Sequence, residues 1–425
     1  MITSDSIYQI LLDLSTDDGI NASGKEEIYG CIFGRDSSLT ILKILRVCEK
    51  ENFPVDKKQE LAALCKRALL TLINLQGKET NLESGEEPGK FVHEFRKEKF
   101  EHLLRFAKPW YVYPEGVLKN YDSLDSTPLA LIAIYQYWQL TQDHEFLISV
   151  LPAVESGLNW IISYGDIDKD GLLEYVLPSE REHGGLVVQS WTDSNESLLQ
   201  ADGSFPLYPI APVEVQSYAW LALRVWSDFY NQHSPEFGKK LLSQSQKMKD
   251  AFNSMFLTRD HELIFAAQAL DGQKNQIPTI TGNPLITLWS TYQNQDYKEA
   301  IVEKEILDQF VKRAFVDDLF DADGGIRTMS TLSSTYNPNS DSYHNGSFWP
   351  VLNGLISEGL TKWNYIHQAN QLKEASLKAI YYFDAPIELY MKNADGNYME
   401  YLAPSGQVGC RTQAWSAAAV LDWLT

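Results

Sequence analysis

Two strings in this chain set an indole beside groups that hydrogen-bond or carry a proton: Ser190-Trp-Thr-Asp-Ser-Asn-Glu196 and Tyr343-His-Asn-Gly-Ser-Phe-Trp-Pro350. An indole face stacks on the C–H groups of a sugar ring, while carboxylates and amides read the hydroxyls at its rim. A third string, Phe33-Gly-Arg-Asp-Ser37, places a charged pair just ahead of an apolar helical pattern. Together they point to a sugar-sized cleft with carboxylate acid–base chemistry in it.

The elements that must hold these strings read as helix after helix. Leu39, Leu42, Leu45 and Val47 recur at helical spacing within 37–50. Similar patterns cover 57–75, 127–140, 145–164, 213–230, 237–256, 283–292, 302–315, 348–360, 364–382 and 413–424. Several are apolar on more than one face, as expected of an inner ring packed on both sides. Strand signals are confined to 263–267 and 324–328. No Ser/Gly/Pro linker interrupts the chain, so 1–425 is expected to form one domain. Helical hairpins with long polar, aromatic loops predict an all-α fold, an α/α toroid with the pocket at its mouth.

Composition excludes several partners. The formal net charge of -21 would repel a nucleic-acid backbone or an anionic membrane surface. The start of the chain lacks the basic and apolar segments of a signal peptide, and no apolar run looks long enough to span a bilayer. Cys31, Cys48, Cys65 and Cys410 form no Cys-x-x-Cys pair, so a reducing cytoplasm is expected.

Further strings join the first three in order. They are Glu87-Pro-Gly-Lys-Phe-Val-His-Glu-Phe-Arg96, Asp122-Ser-Leu-Asp-Ser-Thr-Pro128, Pro212-Val-Glu-Val-Gln-Ser-Tyr218, Gly325-Ile-Arg-Thr328, Tyr336-Asn-Pro338 and Thr412-Gln-Ala-Trp-Ser416. From about Gly34 onward the series resembles the α-1,6-glucosidase domain of glycogen debranching enzymes. The resemblance implies an (α/α)6 barrel and inverting hydrolysis of an α-glycoside. Related barrels serve glucoamylases, trehalases and the mannosylglycerate and glucosylglycerate hydrolases. No N-terminal β-rich domain of the kind many debranching relatives carry is expected, which favours a small glycoside: an oligosaccharide or a glucosyl- or mannosyl-glycerate solute.

Inverting hydrolysis needs a protonated carboxyl to expel the leaving oxygen and an ionised one, roughly 6.5–9.5 Å away, to activate water. Asp193 occupies the acid position by resemblance, and the bulk of Trp191 beside it would raise its pKa. Two residues compete for the base. Glu400 lies on a Gly/Pro-bearing loop ahead of the last helix, where glucoamylase-like barrels carry theirs. Glu388, in Pro386-Ile-Glu-Leu-Tyr390, resembles the Pro-Glu-Leu signature of debranching enzymes, with Ile387 a departure. Glu400 is placed ahead, and Glu388 is expected to cap or pair.

Arg35 and Asp36 are expected to form a bidentate rim for adjacent hydroxyls, or else a structural ion pair. Tyr121 and Asp125 precede a barrel helix, where Asp125 could equally serve as its N-cap. Glu214 and Gln216 either read hydroxyls or satisfy a buried network. His344 and Asn345 are candidate hydroxyl ligands. Trp110, Trp191, Trp349 and Trp415 are candidate stacking platforms. Lys90, His93 and Arg96 would either meet an anionic aglycone or pair with Glu87 and Glu94.

No cofactor or metal is required. Asp166-Ile-Asp-Lys-Asp-Gly171 opens like a calcium loop, but the twelfth position is Leu177 where such a loop needs glutamate. No His/Cys set has zinc spacing, and there is no phosphate loop or nucleophile elbow. Two rival functions are a sugar isomerase or epimerase, which would want paired histidines at the pocket, and a sugar-binding protein without catalysis.

Overall fold

The computed structural model describes residues 1–425 and contains twelve α-helices. They are α1 (Ser4–Asp13), α2 (Gly34–Glu49), α3 (Val55–Asn74), α4 (Ser126–Thr141), α5 (His144–Trp160) and α6 (Val213–His233). The second half holds α7 (Pro235–Met255), α8 (Ile286–Trp289), α9 (Lys304–Ala314), α10 (Pro350–Lys362), α11 (Ile366–Phe383) and α12 (Ala414–Leu424). The even-numbered helices are buried almost all round, as their apolar composition requires. α2 packs on α4, α4 on α6, α6 on α8, α8 on α10, α10 on α12, and α12 back on α2. The odd-numbered helices lie outside: α3 on α2, α5 on α4, α7 on α6, α11 on α10 and α1 on α12. One apolar cluster of 109 buried residues runs through both sets.

The departures from the expected elements have local causes. α1 falls where no helix was expected; Thr3 and Ser6 close a capping box that starts it. The helix expected over 283–292 is a 3-10 turn, Asn283–Leu285, followed by the single turn α8. Tyr292 leaves the helix to pair as a strand with Glu299. The segment from His144 to Gly165 proves long and apolar enough to cross a bilayer by length and composition, against expectation. In this fold it lies against α4 and buries Phe146, Leu147, Val150, Val154 and Leu158.

The strands are short and antiparallel. Leu263–Ala266 and Gly325–Ile326 match the two expected sites, each within a hairpin. A three-stranded sheet matters most for position: Ile32–Phe33 pairs with Glu94–Arg96, which pairs with Leu118–Asn120. It anchors the backbone just before α2. Phe33, Asp125, Pro212, Trp349 and Gln413 are the residues that begin α2, α4, α6, α10 and α12. The strings around 33–37, 122–128, 212–218, 343–350 and 412–416 therefore sit at the N-terminal ends of inner helices, while 190–196 lies in the long loop ahead of α6.

Candidate active site

One pocket opens among these helix starts, with an empty volume of about 350 Å³ measured out to its mouth. Trp191, Trp349 and Trp415 wall it. Their rings pack edge to face, Trp191 on Trp349 at 5.6 Å and Trp349 on Trp415 at 6.0 Å between centroids. Such packing fixes the indoles as rigid walls. Trp191 Nε1 donates to Asn283 Oδ1 at 3.0 Å, and Trp349 Nε1 donates to the Tyr343 carbonyl at 3.0 Å. Trp415 Nε1 is buried without a protein partner.

Asp193 lines the pocket with a quarter of its side chain exposed. Burial pushes its carboxyl above the ordinary range, and Arg35 opposes that rise without reversing it. Arg35 is itself buried and fully engaged. Its Nε donates to Asp125 Oδ2 at 2.8 Å, Nη1 to Asp193 Oδ2 at 3.0 Å, and Nη2 to the Ser190 carbonyl at 2.9 Å. Both Arg35 and Asp36 line the pocket, but they do not pair with each other. Adjacent residues in a helical turn point in different directions, so Arg35 reaches Asp125 and Asp193 while Asp36 meets Gln413 on the pocket wall. Asp36 accepts from Gln413 Nε2 at 3.3 Å, and burial pushes it up to about 8.

Of the two base candidates, the fold brings Glu388 and not Glu400 to the pocket. Glu388 is buried and lines the pocket. Tyr343 donates its hydroxyl to Oε1, and the Cys410 N–H donates to Oε2 at 2.6 Å. Burial raises Glu388 to about 7, while these two donors favour its ionised form. Glu400 instead lies on the exposed loop outside the pocket, paired with Arg411 at 2.9 Å, both side chains more than half exposed. The Gly/Pro-bearing loop did not turn that carboxylate inward.

His344 also lines the pocket, stacked on Trp349 with ring centroids 4.9 Å apart. Its Nδ1 lies 2.9 Å from Ser194 Oγ, and its buried Nε2 has no protein partner. Burial and Arg35 push its pKa well below the usual value, so the ring is neutral. The loop carrying His344 and Trp349 turns at Gly346, where φ is +127° and a Cβ would lie 2.3 Å from the Tyr336 ring.

Five expected ligands fall outside the pocket lining. Tyr121 donates its hydroxyl to the Leu75 carbonyl. Asp125 begins α4 without a side-chain capping bond and instead accepts from Arg35. Gln216 bonds the backbone of Leu173 and Pro212. Asn345 donates to the carbonyls of Glu196 and Thr335. Glu214 is fully buried and pushed up to about 8 by that burial. Trp110 belongs to a small separate cluster with Leu103 and Leu118. Lys90 pairs with Glu87 and Arg96 with Glu94, the structural alternative for that basic group, while His93 is buried and neutral.

Asp166, Asp168 and Asp170 do converge, but Lys274 Nζ lies 2.9 Å from Asp168 and 2.7 Å from Asp170 and also pairs with Glu174. An ammonium supplies the positive charge there. Among the pocket residues, Phe33, Tyr343 and Gln413 stood in noted strings without being singled out. Tyr29 stood in none; its hydroxyl lies 3.2 Å from that of Tyr343, a pairing across 314 residues that no local pattern signals.

Comparison with known proteins places the chain among glycoside hydrolases. A 103-residue stretch is 32% identical to the glucosylglycerate hydrolase of Mycolicibacterium hassiacum, covering 24% of this chain and 20% of that protein. The fold is shared with the GH63 mannosylglycerate hydrolase of Thermus thermophilus. Its complex with glucose matches with a TM-score of 0.65 at 14% identity, and its complex with Tris with 0.63 at 13%, each covering 100% of both chains. A structure described as a glycosidase, carrying a glutamate-to-alanine substitution, matches with a TM-score of 0.60 at 12% identity, over 99% of this chain and 94% of that one. Residues 71–422 match the amylo-alpha-1,6-glucosidase family, and the chain belongs to that family of glycoside hydrolases.

Proposed function

We propose that this protein hydrolyses a small α-glucoside from its non-reducing end with inversion, on a six-hairpin (α/α)6 toroid. The cyclic packing of the even-numbered helices supports the toroid. One observation carries the mechanism: Asp193 and Glu388 face a single tryptophan-walled pocket. Asp193 is the general acid. Burial favours its protonated form, and the pocket gives its carboxyl access to a leaving oxygen. Glu388 is the base. Both its oxygens accept hydrogen bonds, so its charge is supported where a water must lose a proton. The substrate is an oligosaccharide or a glycosyl-glycerate type of solute.

A sugar epimerase with paired histidines is less well supported, because His344 is the one histidine lining the pocket and it is neutral. A binding protein without catalysis would have little use for two carboxyls with raised pKa values facing one cavity. The test is a screen of purified protein against isomaltose, panose, maltose, kojibiose, trehalose, sucrose, glucosylglycerol, glucosylglycerate and mannosylglycerate. Proton NMR during early turnover of an α-glucoside should show β-glucose first. The α-anomer appearing first would require a covalent intermediate and overturn the assignment.

A further inference from the structure

The string that opens like a calcium loop lies outside the sugar pocket. Counted from Asp166, acids stand at the first, third, fifth and ninth positions (Asp166, Asp168, Asp170 and Glu174), and Gly171 stands at the sixth with a φ of +104°. These are positions that a calcium loop uses; the bidentate glutamate at the twelfth is the one it lacks. Each aspartate gives one oxygen to the turn. Oδ1 of Asp166, Asp168 and Asp170 accepts from the N–H of Gly171, Asp170 and Leu172 at 3.3, 3.2 and 2.8 Å. The second oxygens meet ammoniums. Lys274 Nζ lies 2.9 Å from Asp168 Oδ2 and 2.7 Å from Asp170 Oδ2, and Lys247 Nζ lies 3.9 Å from Asp166 Oδ2. The Glu174 side chain has no exposed surface; its Oε1 meets Lys274, and its Oε2 is buried without a hydrogen-bond partner.

This cluster ties together three segments. The Glu174 N–H donates to the Gly165 carbonyl at 2.8 Å. Gln216, in the first turn of α6, holds Leu173 by both its N–H and its carbonyl, each at 2.8 Å. Lys274 comes from the turn between strands Ala269–Leu270 and Gln276–Ile277, and the first of these pairs with Ala211–Pro212 directly ahead of α6. A cation at this point therefore fixes backbone that leads into an inner helix.

We propose that Lys274, backed by Lys247, is a built-in replacement for a divalent cation, so that the loop keeps a calcium-type geometry without taking up calcium. Two ammoniums carry the two positive charges that such an ion would bring. A metal approaching the second carboxylate oxygens meets both of them at close range and is repelled. A lysine tethered to the neighbouring hairpin is also present at an effective concentration that a dissolved ion does not match. Removing Lys274 should uncover the metal site, because four carboxylates then converge with only the exposed ammonium of Lys247 beside them.

In the experiment, wild type and Lys274→Met are melted in EDTA and in calcium, and both are titrated with calcium by calorimetry. Wild type should show no saturable binding and a melting temperature that stays within about 1 °C. Lys274→Met should melt about 5 °C lower in EDTA, because buried carboxylates lose their cation. About 5 mM calcium should restore it through one site of about 10⁻⁴–10⁻³ M, the weak class expected without the twelfth glutamate. Sodium chloride at equal ionic strength should not restore it. The triple variant Asp168→Asn, Asp170→Asn, Lys274→Met needs less counter-charge; it should melt above Lys274→Met in EDTA and ignore calcium. If Lys274→Met is insoluble, it is purified with calcium present: recovery under that condition alone supports the inference, and insolubility under both overturns it. The inference is also overturned by calcium binding to wild type, by a Lys274→Met protein that loses no stability or binds no calcium, by restoration with sodium chloride alone, or by a triple variant as labile as Lys274→Met. None of these readouts depends on turnover, so the hydrolase reading stands or falls separately.

Discussion

The two ends of the inner helices bury carboxylates equally well and treat them in opposite ways. At the C-terminal ends, Lys43 Nζ donates to Glu358 Oε2 at 2.6 Å, to the Gly354 carbonyl at 2.9 Å and to Asp422 Oδ2 at 3.3 Å. Arg46, Lys50 and Lys362 close the same cluster. Cations also suit the negative ends of helix dipoles. Glu358 and Asp422 are held below the usual carboxylate range, because these cations outweigh the burial that pushes the other way. At the N-terminal ends one guanidinium serves Asp125 and Asp193, and Asp36 and Glu388 rise to about 8 and about 7. Burial is common to both ends; the supply of counter-charge separates a structural plug from a reactive pocket.

The strongest way to break this comparison is at Asp193. Asp193→Asn should lower turnover of an unactivated glycoside by about 10²–10⁴-fold while the circular dichroism spectrum stays native, since an amide cannot supply the proton. Near-normal turnover would show that the pocket end is structural too. Glu388→Gln should cost about 10²-fold or more in kcat with sugar binding retained. Glu400→Gln, exposed and paired only with Arg411, should stay within about three-fold of wild type. A dead Glu400→Gln beside an active Glu388→Gln would restore the order expected from the sequence.

The opposite end is tested by Lys43→Met. It leaves Glu358 and Asp422 short of one buried cation and should destabilise by about 3 kcal/mol in denaturant unfolding. Turnover per folded molecule should not change. If kcat falls instead, the two ends are coupled and the contrast fails.

Proton linkage sharpens the comparison further. Glu358 and Asp422, held low in the folded state, contribute stability that is present above about pH 4.5 and lost as the pH falls. Asp36 and Glu388, held high, favour folding while protonated, and that contribution is lost as the pH rises through about 7 to 8. The double variant Asp36→Asn, Glu388→Gln should therefore gain melting temperature over wild type at pH 8 and little at pH 4. The smallest expected effect is on the activity profile. The rising limb of kcat/KM should lie near pH 7 where Glu388 ionises, and Tyr343→Phe, which removes a donor to that carboxylate, should move it up by about one unit. A shift downward would mean that Tyr343 does not support the charge.

Much of this was legible in the sequence, within physical limits. Eleven helical segments were marked by apolar spacing, a local property that survives in the fold; α1, short and started by a Thr3–Ser6 cap, offered too little of it. The strings of the pocket were legible because loops that carry chemistry concentrate aromatic and polar residues. What could not be read was direction. Arg35 is adjacent to Asp36, yet its partners lie 90 and 158 residues away. Glu388 points inward because the Cys410 N–H and the Tyr343 hydroxyl hold it, and both are long-range contacts. Gln216 and Asn345 carry the right chemistry but spend it on backbone carbonyls.

Gly346 has a consequence for how such a protein can change over generations. With its positive φ and the Tyr336 ring against it, no side chain enters without shifting the loop that aims His344 and Trp349. Gly396 and Gly406, flanking the loop of Glu400, share the positive φ, at +83° and +86°, but have open space around them. Random variation is therefore filtered unevenly around one opening. The inner loop is frozen by sterics, while the outer one is free to drift, lengthen and acquire new charges. A library aimed at altered selectivity should be drawn from 393–408, keep Gly396 and Gly406, and leave 343–350 untouched.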